Sequence, residues 1–241
     1  TNEKKELISK IASNKLKKNF FLWTGNNSLN ENIDIVKYAM EYDFKEFLIM
    51  PPAYYKGNTD EGVFDFYSRL ISAIPKIKII LYNFEKLSGY KFSIECIKEL
   101  VKKFPDQIKG VKDSTYNLYE KLDLENFSVF PGSELKLLKG LELGCSGIIT
   151  ATCNVTAQLS RKVYDDFFSG TEQSYNQKLC DVRKVFDKFN LISGLHSFCS
   201  QKNKIYKNIL PPLRLLKESE EKELMEDLKS LNFTIKSSKA A

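Results

Sequence analysis

Gly110-Val111-Lys112-Asp113-Ser114 is the segment from which the expected architecture of this 241-residue chain follows. It comes one strand–helix unit after the apolar run Ile79-Ile80-Leu81-Tyr82-Asn83, so Lys112 and Tyr82 are predicted at the ends of consecutive strands. In a barrel of parallel strands, those ends form the rim that carries catalytic residues. A desolvated lysine beside a phenol is the arrangement that imine (Schiff-base) chemistry on a keto acid requires.

The alternation of side chains along a strand places Lys112 on one face with Gly110, whose small size is expected to leave room for a substrate. Tyr82 ends the neighbouring strand, and strands lie ~4.8 Å apart, so the amine and the phenol are expected within hydrogen-bond or one-water reach. The alternative is an exposed lysine–aspartate pair after a strand. The tyrosine and the barrel periodicity favour the chemical role.

Short apolar runs alternate with amphipathic helices along the chain, a pattern typical of parallel βα units. Six strands are predicted, at residues 20–24, 46–50, 77–83, 107–113, 127–131 and 146–150. Helices are predicted at residues 1–12, 134–143, 156–168, 174–192 and around 224–231, with further ones after Asn30, Asp60 and Ser93. Because no GxGxxG or GxxxxGK[ST] phosphate loop accompanies them, these units favour a (β/α)₈ barrel over a nucleotide-binding sheet.

Six strand–helix units are too few for a closed barrel, so the chain is expected to begin inside one, without the first two strands. The expected division is a partial (β/α)₈ barrel at residues 1–160 (strands 3 to 8), followed by C-terminal helices at 161–241 that pack on the barrel.

Composition argues against several other classes of protein. The net charge is +6, but basic residues alternate with acids, and only residues 15–18 form a dense basic cluster, so no nucleic-acid partner is expected. No apolar run reaches the ~20 residues of a membrane span, and no signal peptide is recognised. Five dispersed cysteines favour the reducing cytoplasm. The single histidine, His196, excludes a metal site made of histidines and is expected to pack at a helix end.

Taken together, the motifs of residues 1 to about 231 resemble the dihydrodipicolinate synthase / N-acetylneuraminate lyase superfamily of class I, Schiff-base aldolases. The segments that carry this resemblance are Trp23-Thr24-Gly25-Asn26-Asn27-Ser28, Pro52-Ala53-Tyr54-Tyr55, Leu81-Tyr82-Asn83 with Ser88-Gly89, Gly110-Val111-Lys112-Asp113, Pro131-Gly132-Ser133, and Gly144-Cys145-Ser146-Gly147-Ile148-Ile149 with Asn154.

The resemblance implies a role for seven residues. Lys112 matches the imine-forming lysine and Tyr82 the proton-relay tyrosine. Tyr55 matches a tyrosine that reaches into the neighbouring subunit's site, and Ile149 a position whose backbone carbonyl lines the keto-acid pocket. Further substrate-binding positions are Gly132, Glu134 and Leu87. The resemblance also implies pyruvate as the imine partner, no metal or organic cofactor, and a homo-oligomer, either a dimer or a tetramer.

The sequence departs from the family pattern in three places. The Gly-Thr-Thr-Gly-Glu loop expected before Thr1 is not in this sequence. Leu87 stands where the synthase branch has an arginine for its aldehyde substrate. Glu134-Leu135 keeps one carboxylate of the sialic-acid branch's Asp-Glu pair. We therefore expect a pyruvate-linked lyase acting on a 2-keto-3-deoxy sugar acid or a sialic acid. The alternatives are dihydrodipicolinate (4-hydroxy-tetrahydrodipicolinate) synthase and a catalytically silent relative that binds a small acid.

Overall fold

The computed structural model describes residues 2–13 and 20–234, which form two compact units, Thr1–Pro131 and Gly132–Ala241. The first unit contains a parallel sheet whose strand order follows the chain. Its strands are β1 (Leu22–Trp23), β2 (Glu46–Ile49), β3 (Lys78–Asn83), β4 (Ile108–Asp113) and β5 (Ser128–Pro131). The five strands predicted in this part of the chain are confirmed, although β1 is shorter than expected.

Helices connect these strands. They are α1 (Asn2–Ile11), α2 (Leu29–Glu41), α3 (Asp60–Ala73), α4 (Glu85–Ser88) and α5 (Ile94–Lys103). Three of them begin with a hydroxyl group that accepts a backbone N–H of the first turn, from Ser28, Thr59 and Ser93. The prediction that Ser93 begins a helix is confirmed. The prediction that Asn30 begins α2 is wrong, because the cap is Ser28, two residues earlier in a segment with several residues able to cap a helix.

The central strands of the first unit are buried on both faces. Phe47, Leu48 and Ile49 of β2 and residues 79–83 of β3 are all buried, as expected for parallel strands covered by helices. The Tyr67 hydroxyl of α3 donates to the Ile49 carbonyl at 2.8 Å. Because all five strands are parallel, their carboxyl ends lie at the same edge of the sheet.

The second unit is mainly helical. Its helices are α6 (Leu137–Glu142), α7 (Cys153–Phe168), α8 (Asn176–Asp187), α9 (Leu191–Ser200) and α10 (Glu218–Ser230), with 3₁₀ turns at Glu134–Lys136 and Lys204–Lys207. Side chains of α8, α9 and α10 share a buried core, namely Val182, Val185, Phe186, Leu195, Phe198, Leu224 and Leu228. His196 lies within α9, and its Nδ1 is 2.8 Å from the Tyr206 carbonyl oxygen.

Two predictions differ most from the structure in this unit. Residues 146–150 do not form a strand, and Gly147 adopts φ 140°, a conformation that other residues rarely adopt. The helix predicted at 174–192 ends at Asp187, because the Asn190 side chain accepts the Ser193 N–H and begins α9.

The predicted domain boundary after residue 160 falls inside α7 and stays a prediction. The basic cluster at residues 15–18 lies outside the described residues.

Candidate active site

The pairing of β3 with β4 brings Tyr82 and Lys112 side by side. The two residues are register partners, and the Lys112 Nζ lies 4.1 Å from the centroid of the Tyr82 ring. Gly110 allows this arrangement for a reason other than the predicted one. A Cβ atom there would lie 2.3 Å from the Ser128 carbonyl oxygen, so the absence of a side chain lets β4 and β5 approach rather than making room for a ligand.

Burial shifts the proton affinity of both groups. It lowers the pKa of Lys112 to about 8, because the ammonium form loses hydration. Burial also raises the pKa of Tyr82, against the opposing effect of a hydrogen bond with the Ser114 hydroxyl. At neutral pH, a partly deprotonated lysine therefore lies beside a protonated phenol on one face of the sheet.

Aromatic rings surround Tyr82. Its ring stacks on Phe84 with centroids 6.0 Å apart and meets the edge of Trp23 at 6.3 Å. Beneath it, Leu48 and Ile80 form a buried apolar cluster with the same ring. The Lys112 amine thus lies over the ring at the centre of an apolar cluster.

The residues that follow Tyr82 and Lys112 in their strands fix the strand ends. The Asn83 Nδ2 donates to the Asp113 Oδ1 at 2.8 Å, and both side chains are fully buried. The two oxygens of Asp113 also accept backbone N–H groups from the following loop, those of Thr115, Tyr116, Leu118 and Tyr119. This role of Asp113 was not predicted from the sequence. An aspartate between an apolar strand and a polar loop is the signal that predicts this type of turn.

A small cavity of about 240 Å³ lies at the same edge of the sheet. It is lined by Trp23, Gly25, Asn26, Asn27, Met50, Ala53 and Leu87. Leu87, predicted at a substrate-binding position, is thus a wall of this cavity. Met50 and Trp23 also contact the Tyr82 cluster, so the cavity adjoins the candidate catalytic pair.

Tyr55 belongs neither to the apolar cluster around Tyr82 nor to the lining of this cavity. Its side chain is 69% exposed and packs edge-on against Tyr54, with ring centroids 5.4 Å apart. Its predicted reach into a neighbouring subunit stays a prediction, and an exposed tyrosine pair is compatible with it.

In the second unit, Glu134 is engaged by protein groups. Its side chain is fully buried and its Oε2 accepts from the Arg183 Nη1 at 2.9 Å. The hydroxyls of Thr150, Thr152 and Thr156 donate to the same carboxylate at 3.1, 2.5 and 2.8 Å. The predicted contact of Glu134 with substrate stays untested, but the structure gives this carboxylate a structural partner that the sequence analysis missed.

This network also holds the segment that contains Ile149. Thr150 Oγ1 accepts from the Arg183 Nη1 at 2.9 Å, so the residue after Ile149 is attached to α8. Side-chain hydrogen bonds thus replace the strand pairing that was predicted there. Gly132, the first residue of this unit, is half-buried. The predicted roles of Ile149 and Gly132 in substrate binding stay predictions.

Within the described ranges 2–13 and 20–234, no three His, Cys, Asp or Glu side chains are grouped to hold a metal ion. In the same ranges, no helix has the length and apolar character needed to cross a membrane.

Known proteins resemble this chain over most of its length. A model of the dihydrodipicolinate synthetase family matches residues 1–231. The 2-dehydro-3-deoxy-D-gluconate/2-dehydro-3-deoxy-phosphogluconate aldolase of Picrophilus torridus is 28% identical over 219 residues, which cover 88% of this chain and 80% of that protein. The 4-hydroxy-tetrahydrodipicolinate synthase of Hydrogenobaculum is 28% identical over 96% of this chain and 82% of its own length.

A solved structure shows the same fold. The dihydrodipicolinate synthase of Agrobacterium tumefaciens superimposes with a TM-score of 0.82 at 23% identity, over 93% of this chain and 79% of that one. The predicted α/β-barrel fold class is thereby confirmed. Across the curated relatives, the matched part spans from about half to about four-fifths of the relative's length. The chain belongs to the dihydrodipicolinate synthetase family, and it is a lyase.

Proposed function

We propose that the chain is a pyruvate-linked Schiff-base aldolase in which Lys112 forms the imine. The observation that carries this proposal is the position of the half-buried Lys112 amine, 4.1 Å above the Tyr82 ring, where the loss of hydration lowers its pKa to about 8. An amine with this pKa is partly unprotonated at neutral pH and can attack a ketone.

In the cleavage direction, the Lys112 amine attacks the keto carbon of a 2-keto acid, and loss of water gives an iminium ion. The bond between C3 and C4 then breaks, with its electron pair moving toward the iminium nitrogen to give an enamine. The C4 hydroxyl loses its proton as the aldehyde leaves. Protonation of the enamine at C3 and hydrolysis of the imine release pyruvate and restore the amine.

Tyr82 is the proposed carrier of the protons in these steps. Burial raises the pKa of its phenol and so keeps it protonated at neutral pH, ready to donate a proton. Asp113 and Asn83 are positioning residues, because they fix the ends of both strands without themselves touching the reacting atoms.

The proposed chemistry uses the iminium ion formed on Lys112 as its electron sink and calls for no metal or organic cofactor. We place the protein in the cytoplasm, which the five free cysteines support. We propose that the chain forms a homodimer or a homotetramer, and the exposed Tyr54–Tyr55 pair supports this proposal. Sedimentation velocity measures this directly, and a monomer at micromolar concentration would contradict it.

The proposed substrate is a 2-keto-3-deoxy sugar acid or a sialic acid. Leu87 supports this choice, because it lines the cavity beside Tyr82 and cannot hold the aldehyde carboxylate that the synthase reaction requires. The similar aldolase of Picrophilus torridus supports the same choice. The synthase reaction is the second candidate, favoured by the names of several relatives and structural neighbours.

Measurement of pyruvate release from 2-keto-3-deoxygluconate and from N-acetylneuraminate tests the proposal. Synthase activity with pyruvate and aspartate semialdehyde is measured in parallel. We expect cleavage activity in the native chain, none in Lys112→Met, and a loss of about 10²–10⁴-fold in kcat for Tyr82→Phe. Synthase activity above cleavage activity would favour the second candidate, and neither activity would favour the silent relative.

A further inference from the structure

A cavity of about 910 Å³ lies within the second unit, among α7, α8, the end of α9 and the segment after α10, and we call it the α7–α9 cavity. Its apolar surface comes from the half-buried side chains of Val155, Leu159 and Phe233. Val155 and Phe233 pack against the core shared by α8, α9 and α10, whereas Leu159 packs against a separate core that contains Leu137 and Val163. The cavity therefore borders on both cores, and its volume is within the range of about 300–1,000 Å³ that is typical of small-molecule sites.

The charged side chains that line this cavity are all lysines. Lys162 of α7, Lys178 of α8 and Lys202 after α9 come from different elements, and among the described residues of the lining there is no aspartate or glutamate. The Lys162 Nζ is paired with the Asp166 Oδ1 at 2.7 Å, and the Lys178 Nζ donates to the Asn232 carbonyl oxygen at 3.0 Å. Each ammonium group has three donors, so these contacts leave donors for a ligand. The lining therefore favours an anion.

The sequence places further positive charge on the same side of the cavity. No acidic residue occurs between Asp187 and Glu218, a segment that contains α9 and the 3₁₀ turn after it. This turn carries Tyr206, whose side chain lines the cavity, and the residues around it include Lys204 and Lys207 in addition to Lys202. An anion in the cavity would thus approach a region without carboxylates of its own.

Aromatic and amide groups complete the walls. Tyr175 and Tyr206 are both partly exposed, so their rings offer surface to a flat group in the cavity. Asn154 and Gln158 contribute carboxamides, and the Gln158 amide has no hydrogen bond with any residue in the described part of the chain. Carboxamides can both donate to and accept from hydroxyl groups or the edge of a heterocycle. The walls therefore suit a ligand that combines a ring with polar substituents.

We infer that the α7–α9 cavity binds a phosphorylated organic molecule with a flat ring, and that Lys162, Lys178 and Lys202 hold its phosphate groups. A nucleoside diphosphate has both parts. Its base packs on the apolar surface and the tyrosine rings, and its phosphates accept charge-assisted hydrogen bonds from the ammonium groups. The second unit alone supplies these residues, so this inference does not depend on the imine chemistry proposed for Lys112.

Isothermal titration calorimetry of the full chain with ADP, adenosine and pyrophosphate tests the inference. We expect one ADP per chain, bound about tenfold more tightly than adenosine or pyrophosphate, because each of these offers only one of the two parts. Lys178→Met is expected to weaken ADP binding about tenfold, and Gln158→Glu about fivefold, since it adds a carboxylate to the wall. Lys184→Met makes the same change elsewhere on α8, where the Nζ pairs with Asp181 at 3.0 Å, and is expected to leave the affinity unchanged.

Lys112→Met shows whether ADP occupies this cavity or the candidate active site. Its affinity for ADP is expected to equal that of the native chain, and a loss in Lys112→Met instead of Lys178→Met would overturn the inference. No binding at about 1 mM ADP, measured by heat or by a rise in Tm, would also overturn it. Pyrophosphate that binds as tightly as ADP, or an affinity that neither Lys178→Met nor Gln158→Glu lowers, would do the same.

Discussion

At the residue scale, burial and the neighbouring ring act on Lys112 in opposite directions. Loss of hydration disfavours the ammonium ion, whereas the face of the Tyr82 ring at 4.1 Å attracts it. Burial lowers the pKa of Lys112 to about 8. About a tenth of Lys112 is then free amine at pH 7, against about three in ten thousand for an ordinary lysine. The fold therefore activates the nucleophile without a neighbouring cation.

The pH dependence of imine formation follows from this pKa. The lysine reacts as the free amine, so the rate of trapping with pyruvate and borohydride is expected to rise with pH, with a midpoint near 8, and to level off above 9. Trapping rates measured between pH 6 and pH 10.5 check this. A rate that continues to rise beyond pH 10 would indicate an ordinary, hydrated lysine.

The same burial is expected to reduce stability. Because the folded chain lowers the pKa of Lys112 below its unfolded value, the unfolded chain binds more protons, and the penalty is fully present below about pH 8. Lys112→Met is expected to raise the free energy of unfolding at pH 7 by about 1–2 kcal/mol, as urea unfolding can measure.

The stability difference should shrink as pH rises from about 8 to the ordinary lysine pKa of 10.5. Lys109→Met in the same strand is the matched control, since the Lys109 Nζ binds the Pro105 carbonyl oxygen at an exposed site. A stability change as large in Lys109→Met as in Lys112→Met would contradict the explanation.

At the scale of elements, the pairing of Lys112 with Tyr82 was predictable, because side-chain alternation and strand ends follow from the sequence alone. The buried contact between Asp113 and Asn83 was not predicted, since it depends on a loop whose backbone donors turn toward one carboxylate. The start of α2 was misplaced, because Ser28 and Asn30 are both capable caps and packing selects one.

Residues 146–150 were predicted as a strand and do not form one. Their apolar composition predicts a strand, but Thr150 holds them instead, because its hydroxyl donates to Glu134 and accepts from Arg183. The partners lie 16 and 33 residues away in sequence, and no local pattern indicates them.

The buried ion pair between Arg183 and Glu134 gives a prediction for the second unit. Arg183→Met leaves the Glu134 carboxylate buried without its cation and is expected to lower the free energy of unfolding by about 3–5 kcal/mol. The double variant Glu134→Gln/Arg183→Met should recover much of that loss. Chemical denaturation checks both, with Arg161→Met as the control, because the Arg161–Asp165 pair is exposed. A loss in Arg183→Met as small as in the control would refute this role.

At the scale of the whole molecule, the sequence predicted the fold class and the family because six motifs occur in a set order, each at the end of a strand or the start of a loop. It did not predict α9, which a capping asparagine begins after a break of three residues. The engagement of Glu134 also could not be predicted, because a family position identifies a residue and not the partners that surround it in a particular chain.

The central claim is that Lys112 forms an imine with pyruvate, and trapping tests it most directly. The full chain is incubated with pyruvate and sodium borohydride, then digested and analysed by mass spectrometry, with Lys112→Ala and Lys109→Ala treated alike. We expect one carboxyethyl adduct per chain, on Lys112, in the native chain and in Lys109→Ala, and none in Lys112→Ala. A folded native chain without an adduct, or an adduct that persists in Lys112→Ala, would contradict the account.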